Sequence, residues 1–210
     1  MFKLQTDNVV VLKSIFNAIT SIIGEVEIEI NENELLISEL DMSHMLFINL
    51  KLNKFFFDEY NCESDTRFIL DSKQLMNVLK TVKVYDNLIL TEEENNVLLI
   101  LENESRNVFK LEKVNYPSKK VNPPILEGLE EFEVNLSVFK GFINRISKQN
   151  KLNTHVKISV DETHLTLESR NINISYIHGE NINNKIECKY SLEYLINMLK
   201  TTKLSDTIKL

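Results

Sequence analysis

The sequence predicts an α+β fold made of two duplicated domains, each of antiparallel sheets covered by two helices, joined by an extended linker. Three observations carry this expectation. First, residues 71–90 (DSKQLMNVLKTVKVYDNLIL) recur as residues 191–210 (SLEYLINMLKTTKLSDTIKL) at a shift of 120. Eight of the twenty aligned positions are identical: Leu75/Leu195, Asn77/Asn197, Leu79/Leu199, Lys80/Lys200, Thr81/Thr201, Lys83/Lys203, Asp86/Asp206 and Leu90/Leu210. Two unrelated amphipathic helices share apolar spacing, but not also the lysines and the aspartate of the turn that follows. Second, short alternating runs are interspersed with four stretches of helical periodicity. Third, all three prolines fall in residues 114–130, with Gly128.

The elements follow in order. Residues 1–6 alternate and read as a strand. Asp7 or Asn8 offers an N-cap. Leu12, Ile15, Phe16, Ile19, Ile22 and Ile23 then recur at helical spacing, with Gly24 as the stop. Residues 26–30, 35–40 and 44–52 read as strands, with a polar turn at 31–34. Residues 53–62 read as a connector carrying its own aromatics. Residues 66–70 are a strand, and Asp71 or Ser72 caps a second helix with Leu75, Val78, Leu79 and Val82 on one face. Strands at 87–91, 97–101 and 108–113 complete a first domain, residues 1–113.

Residues 114–130 are the linker, and residues 131–210 the second domain. That domain opens with a strand at 132–136. A helix over 136–151 follows, with Phe139, Phe142, Ile143 and Ile146 in its stripe. Strands at 156–160 and 165–167 match 26–30 and 35–37 at a shift of 130, down to Glu32/Glu162 in the turn. Strands at 172–177 and 185–190, a helix at 192–203 and a strand at 206–210 finish the copy. Leu210 aligns with Leu90, so the second domain is expected to lack the counterparts of the last strands of the first.

Composition bounds the function. With 210 residues, 43% hydrophobic and 26% charged, the chain can bury a core in each domain. No apolar run approaches the ~18 residues that span a bilayer, and the start, MFKLQTDN, has no secretory layout. A protein that is not secreted and not membrane-bound is expected. Cys62 and Cys188 match no metal spacing and read as free core thiols in a reducing compartment.

The net charge of −7 argues against nucleic acid only if the charges are mixed evenly, and they are not. Ten of the 24 basic residues but only two of the 31 acidic ones fall on the four predicted helices, leaving +8 there and −15 elsewhere. The helix at 136–151 carries Lys140, Arg145, Lys148 and Lys151 and no acid. Lysines near a helix C-terminus also complement the macrodipole, which accounts for Lys80, Lys83, Lys200 and Lys203 without DNA. The acid-free helix is left over by that explanation. Lysine, a mobile point charge, suits sequence-independent phosphate contact. The polar helix faces offer no aromatic platform for stacking single strands.

Asp41, Ser43 and His44 invite a triad, but neighbours on a strand point to opposite faces. The four glycines form no phosphate loop. His44, His155, His164 and His178 have no ligand spacing. Glu92–Glu94 and Glu130–Glu131 read as solvated turns. No catalytic residue, metal or cofactor is expected.

Several local stretches resemble one family. They are Met1-Phe2-Lys3, Lys13 on the first helix, the segment Leu40-Asp41-Met42-Ser43-His44-Met45, and Phe57-Asp58-Glu59-Tyr60-Asn61-Cys62. The helix around Leu75 to Lys80, the proline-bearing linker and the duplication agree. Through most of its length the chain resembles proliferating cell nuclear antigen, the sliding-clamp family of archaea and eukaryotes. The resemblance implies two clamp-type domains per chain and a homotrimeric ring around duplex DNA. That ring acts as a polymerase processivity factor in DNA replication, without enzymatic activity.

The resemblance also implies site residues. Lys13, Lys73, Lys80, Lys83, Lys140, Arg145, Lys148, Lys151, Lys200 and Lys203 face the DNA backbone. Leu40, His44, Met45 and Phe47, with Ile125 and Leu126 of the linker, form a groove for short apolar peptides of polymerase, clamp loader and other replication and repair proteins. On the residues alone, Met45 and Phe47 fit a strand core equally well. Edge strands join the subunits, through Val108, Phe109, Lys110 and Leu111 on one side and Ile172, Ile174 and Tyr176 on the other. Location follows the host: cytoplasm in an archaeon, nucleus or viral replication site otherwise. Two other classes stay open: a clamp-like interaction or transcription factor that does not encircle DNA, and a DNA-processing enzyme.

Overall fold

The computed structural model describes residues 1–115, 121, 131–149, 154–170, 172–178, 185–201 and 205–210. The chain divides into two compact units, Met1–Glu127 and Gly128–Leu210, with the boundary inside the predicted linker.

In the first unit the order is β1 (Phe2–Thr6), α1 (Val9–Thr20), β2 (Glu25–Ile30), β3 (Glu34–Leu40) and β4 (Phe47–Asn53). A 3-10 turn (Lys54–Phe56) leads to β5 (Glu59–Cys62) and β6 (Thr66–Asp71). Then come α2 (Ser72–Thr81), β7 (Asn87–Glu93), β8 (Asn96–Glu102) and β9 (Arg106–Glu112). The strands form two antiparallel sheets, ordered β5-β1-β7-β8-β9 and β4-β3-β2-β6. One face of each is buried because the residues alternate: β1 buries Phe2, Leu4 and the polar Thr6, and β2 buries Val26, Ile28 and Ile30. Leu12, Ile15, Phe16 and Ile19 of α1 and Leu75, Val78 and Leu79 of α2 close the same core. Each such side chain, fully buried, contributes about 1.5–3 kcal/mol.

The second unit runs β10 (Glu133–Asn135), α3 (Leu136–Gln149), β11 (His155–Val160), β12 (His164–Ser169), β13 (Ile172–Ile177) and β14 (Ile186–Ser191). It ends with α4 (Leu192–Met198), a 3-10 turn (Leu199–Thr201) and β15 (Thr207–Lys209). Its four-stranded sheet has the order β13-β12-β11-β14, and β10 pairs with β15. These orders repeat β4-β3-β2-β6 and the β1–β7 pair of the first unit. The duplication read from helix sequences is thus also a duplication of topology. Phe132, Phe139, Ile143, Ile146, Leu165 and Leu167 are at the centre of a separate core.

Several boundaries and one burial differ from expectation. Residues 53–62 are not a plain connector, since they contain the 3-10 turn and β5, which pairs with β1. Residues 41–46 are a loop, so the strand expected at 44–52 begins at Phe47. The last predicted helix ends at Met198 and tightens into a 3-10 turn. Cys188 is exposed rather than a core thiol, because it lies on the edge strand β14; Cys62 is half-buried. Asp71 caps α2, its side chain accepting from the Gln74 amide at 2.8 Å. Asn8 occupies the corresponding position at α1 but makes no side-chain cap. No helix among the described residues is long and apolar enough to cross a membrane.

Candidate functional site

In each unit the two helices lie side by side. In the first they run antiparallel. The Ser72 amide at the start of α2 donates to the Gly24 carbonyl just beyond α1 (3.0 Å). At the other end, the Lys13 ammonium on α1 donates to the Val82 carbonyl (3.0 Å) and the Lys80 carbonyl (3.4 Å). Lys13 therefore closes the C-terminal end of α2, where carbonyls lack intrahelical partners and the macrodipole is negative.

The outward face of each helix follows from 100° per residue. On α2 the buried positions are Ser72, Leu75, Val78 and Leu79, so Lys73, Asn77 and Lys80 form the opposite stripe, all exposed. Lys83 follows, exposed, with its ammonium 5.8 Å from the centre of the Tyr85 ring. Its amide donates to the carboxylate of Asp86 (2.7 Å), and Asp86, buried, also accepts from the Asn103 side chain. That pairing fixes the turn after α2 and explains the aspartate of the repeat in the first copy. On α3, Leu136, Phe139, Ile143 and Ile146 face the core, and Arg145 and Lys148 straddle the outward side, both exposed. Lys140 sits half-buried on the flank. On α4 the outward stripe is Glu193, Asn197 and, in the 3-10 turn, Lys200, the counterparts of Lys73, Asn77 and Lys80. Lys151 and Lys203 lie outside the described residues.

The predicted groove residues sit on the β3–β4 hairpin. Leu35 and Ile37 point into the core. Leu40 has the opposite parity and is directly paired with Phe47. Leu40 and Phe47 therefore form an apolar cross-strand pair on the face turned away from the core, both half-buried. His44 and Met45 are exposed in the loop between them. Ile125 and Leu126 lie outside the described residues. Beside the pair, Glu39 turns toward the core side, and its carboxylate accepts from the Glu27 amide at 2.7 Å. Burial raises its pKa above the usual carboxylate range; the bond from the Glu27 amide works against this, and the Glu27 and Glu25 charges add to it.

The Asp41-Ser43-His44 constellation is not arranged as a triad. A triad places an imidazole between serine and carboxylate. Here the carboxylate of Asp41 takes the Ser43 hydroxyl directly. The reason given from sequence, opposite faces of a strand, does not apply, because the segment is a loop. No group of three or more potential metal-ligating side chains occurs among the described residues.

The predicted interface residues lie on outer strands but do not all face outward. β9 is an outer strand of its sheet and β13 an outer strand of its own. However, alternation sends Leu111 (3% exposed) and Phe109 into or against the core, and only Val108 (49% exposed) and Lys110 point out. Lys110 is paired with Glu93 at 2.7 Å, which raises its proton affinity. Likewise Ile172, Ile174 and Tyr176 pack on the second core, while Asn173, Ser175 and Ile177 are exposed. Leu111 and the three β13 residues can serve an edge contact mainly through backbone groups. Val108 and Ile177 are the large apolar side chains these two strands leave exposed.

Residues 1–122 match the family model described as proliferating cell nuclear antigen, N-terminal domain. The chain is 33% identical to the DNA polymerase sliding clamp of Methanothermobacter thermautotrophicus, over 99% of this chain and 85% of that one. It is 31% identical to the DNA polymerase sliding clamp of Methanobrevibacter smithii, over 98% and 85%. Among solved structures it superposes on the antigen from Entamoeba histolytica with a TM-score of 0.89 at 19% identity, covering 100% of this chain and 88% of that one. The PCNA2–PCNA3 complex of Sulfolobus tokodaii gives 0.86 at 23% identity, covering 99% and 87%. These likenesses extend the match to both units, which share the duplicated α+β architecture, and the chain belongs to the proliferating cell nuclear antigen family of sliding clamps.

Proposed function

We propose that this chain is a DNA sliding clamp: copies of it close into a ring, a homotrimer, around duplex DNA. The ring tethers polymerase and other replication and repair proteins as a processivity factor. The observation that carries the reading is the charge on the helices. In a chain of net charge −7, the outward faces of α2, α3 and α4 expose Lys73, Lys80, Arg145, Lys148 and Lys200.

The physics suits a ring that slides. Lysines bind phosphate as point charges and read no base, so each position along the duplex is equivalent. Exposed contacts are weak and salt-screened, so retention comes from topology rather than affinity. The acidic remainder of the chain repels DNA from other surfaces. Ring closure uses two different edges, β9 of one copy and β13 of the next. A contact between unlike patches that closes by rotation leaves neither edge free. The Leu40–Phe47 pair with His44 and Met45 supplies the surface for partner peptides, which anchor an aromatic-bearing helical turn in an apolar groove. Because a closed ring cannot thread circular DNA unaided, a clamp loader is among the partners. The reading assigns no chemical step to the chain.

The test is topological. Protein placed on nicked circular plasmid by a clamp loader is separated by gel filtration before and after a single restriction cut. Retention on circles and release on linear DNA is the expected result. Equal retention on both forms overturns encirclement and leaves a clamp-like protein that binds without a ring.

A further inference from the structure

The loop between β3 and β4 presents its exposed side chains from an unusually well-built turn. Asp41 is only 4% exposed, while its neighbours Met42 and Met45 are 98% and 75% exposed. One carboxylate oxygen of Asp41 accepts from the Met45 amide (2.7 Å) and the Leu46 amide (2.6 Å). The other accepts from the Ser43 amide (3.1 Å) and from the Ser43 hydroxyl. The backbone of Asp41 closes the same ring of bonds. Its amide donates to the Leu46 carbonyl (3.0 Å), and its carbonyl accepts from the His44 amide (2.9 Å). One residue thus binds the backbone of four of the five that follow it.

Within this turn His44 has φ of +58°, the left-handed region that a residue with a side chain rarely adopts. Such a conformation persists only where the surroundings impose it, and Asp41 supplies the bonds on both sides of it. A loop of six residues carrying two exposed methionines and a histidine would otherwise sample many shapes. A partner would then have to order it on binding.

We propose that Asp41 is a positioning residue for partner binding: its buried carboxylate holds residues 42–46 in one conformation, so that His44 and Met45 stand preorganised beside the Leu40–Phe47 pair. The inference rests on the partner-groove reading above. Asp41 itself is buried and acts through the loop it holds. Its effect is on the fraction of molecules whose loop is ready to bind, and apparent affinity scales with that fraction.

The test uses the full chain and a fluorescein-labelled peptide of about twelve residues whose single helical turn carries two phenylalanines. Binding is followed by anisotropy and stopped flow. Asp41→Asn replaces one acceptor oxygen with an NH2 group that faces amide donors. It is expected to weaken binding by about tenfold, mostly by slowing association, as a lower competent fraction requires. Ser43→Ala removes one donor to the network and is expected to lose about two- to threefold. Should Asp41→Asn fail to fold, Ser43→Ala carries the test alone. Ile28→Val, a core change on β2, controls for general destabilisation and is expected to leave affinity unchanged. Peptide binding by the wild type with no loss in Asp41→Asn or in Ser43→Ala overturns the inference and leaves the groove intact. An equal loss in Ile28→Val also overturns it, since the effect would then be general stability. Failure of the wild type to bind, or binding unaffected by Met45→Ala, overturns the groove reading and this inference with it.

Discussion

Lys13→Met keeps the length of a side chain on α1 and removes its ammonium. The lost group donates to the Val82 carbonyl at 3.0 Å and the Lys80 carbonyl at 3.4 Å, at the C-terminal end of α2. A hydrogen bond from a charged donor contributes about 1.5–3 kcal/mol where it is enclosed. Here one contact is exposed and the other only partly buried, so solvent screening brings the expected loss to roughly 1–2 kcal/mol. With a urea slope of about 2 kcal/mol/M, the first unit should unfold about 0.5–1 M earlier. DNA affinity should fall as well, because Lys80 and Lys83 stand on the turn that Lys13 holds. Lys80→Met is the control. Its ammonium is on an exposed stripe, so stability should change by no more than about 0.5 kcal/mol. The salt dependence of DNA binding should flatten by about 0.9 per phosphate contact removed. The reasoning is refuted if Lys13→Met leaves the urea midpoint unchanged, or if Lys80→Met destabilises as much.

Other outcomes follow from the same structure. Phe139→Ala empties a fully buried position of the second core and should cost about 3–5 kcal/mol, lowering the second unit's calorimetric transition and not the first's. Phe55→Ala, at a position 86% exposed, should leave both transitions in place. Glu39 holds its proton more tightly folded than unfolded, so its ionisation opposes folding. That penalty is absent below the ordinary glutamate range, grows as pH rises toward the raised folded value, and is complete above it. Glu39→Gln keeps an acceptor for the Glu27 amide. It should be more stable than wild type at pH 7 and indistinguishable near pH 3, as urea midpoints across that range would show. Val108→Asp adds charge to the outward side of the β9 edge and should reduce the sedimentation-measured oligomer to monomers while leaving the circular dichroism spectrum unchanged.

Much of the fold was legible because alternation and helical spacing record burial directly. Phe2, Leu4, Val26, Ile28, Leu35 and Ile37 are all buried where the alternation of their strands puts them. The aligned lysines, the aspartate and the apolar spacing of residues 71–90 and 191–210 gave away the duplication before any strand was paired. What was missed lacks a periodic signal. β5 hides in FFFDEYNC because three consecutive aromatics mask the alternation that pairs Tyr60 with Leu4. Part of the loop at 41–46 reads as strand because Met45, Leu46 and Phe47 are apolar, and nothing in a histidine announces a positive φ. Aspartate followed two residues later by serine is a turn signal that could have found it, since Asp41 accepts from Ser43 in that geometry. The inward turn of Leu111 and Ile174 is legible from alternation.

The central claim is that the helix faces, and not the sheets, meet DNA. A photo-crosslinker installed singly at Lys80, Lys148 or Lys200, with Glu29 and Glu168 on the strands as comparison sites, tests it on the protein placed on nicked circular plasmid by a clamp loader. Adducts to DNA at the three helix positions, with little at the two strand positions, are expected. Adducts of equal yield at Glu29 and Glu168, or none at the helices, would contradict the account.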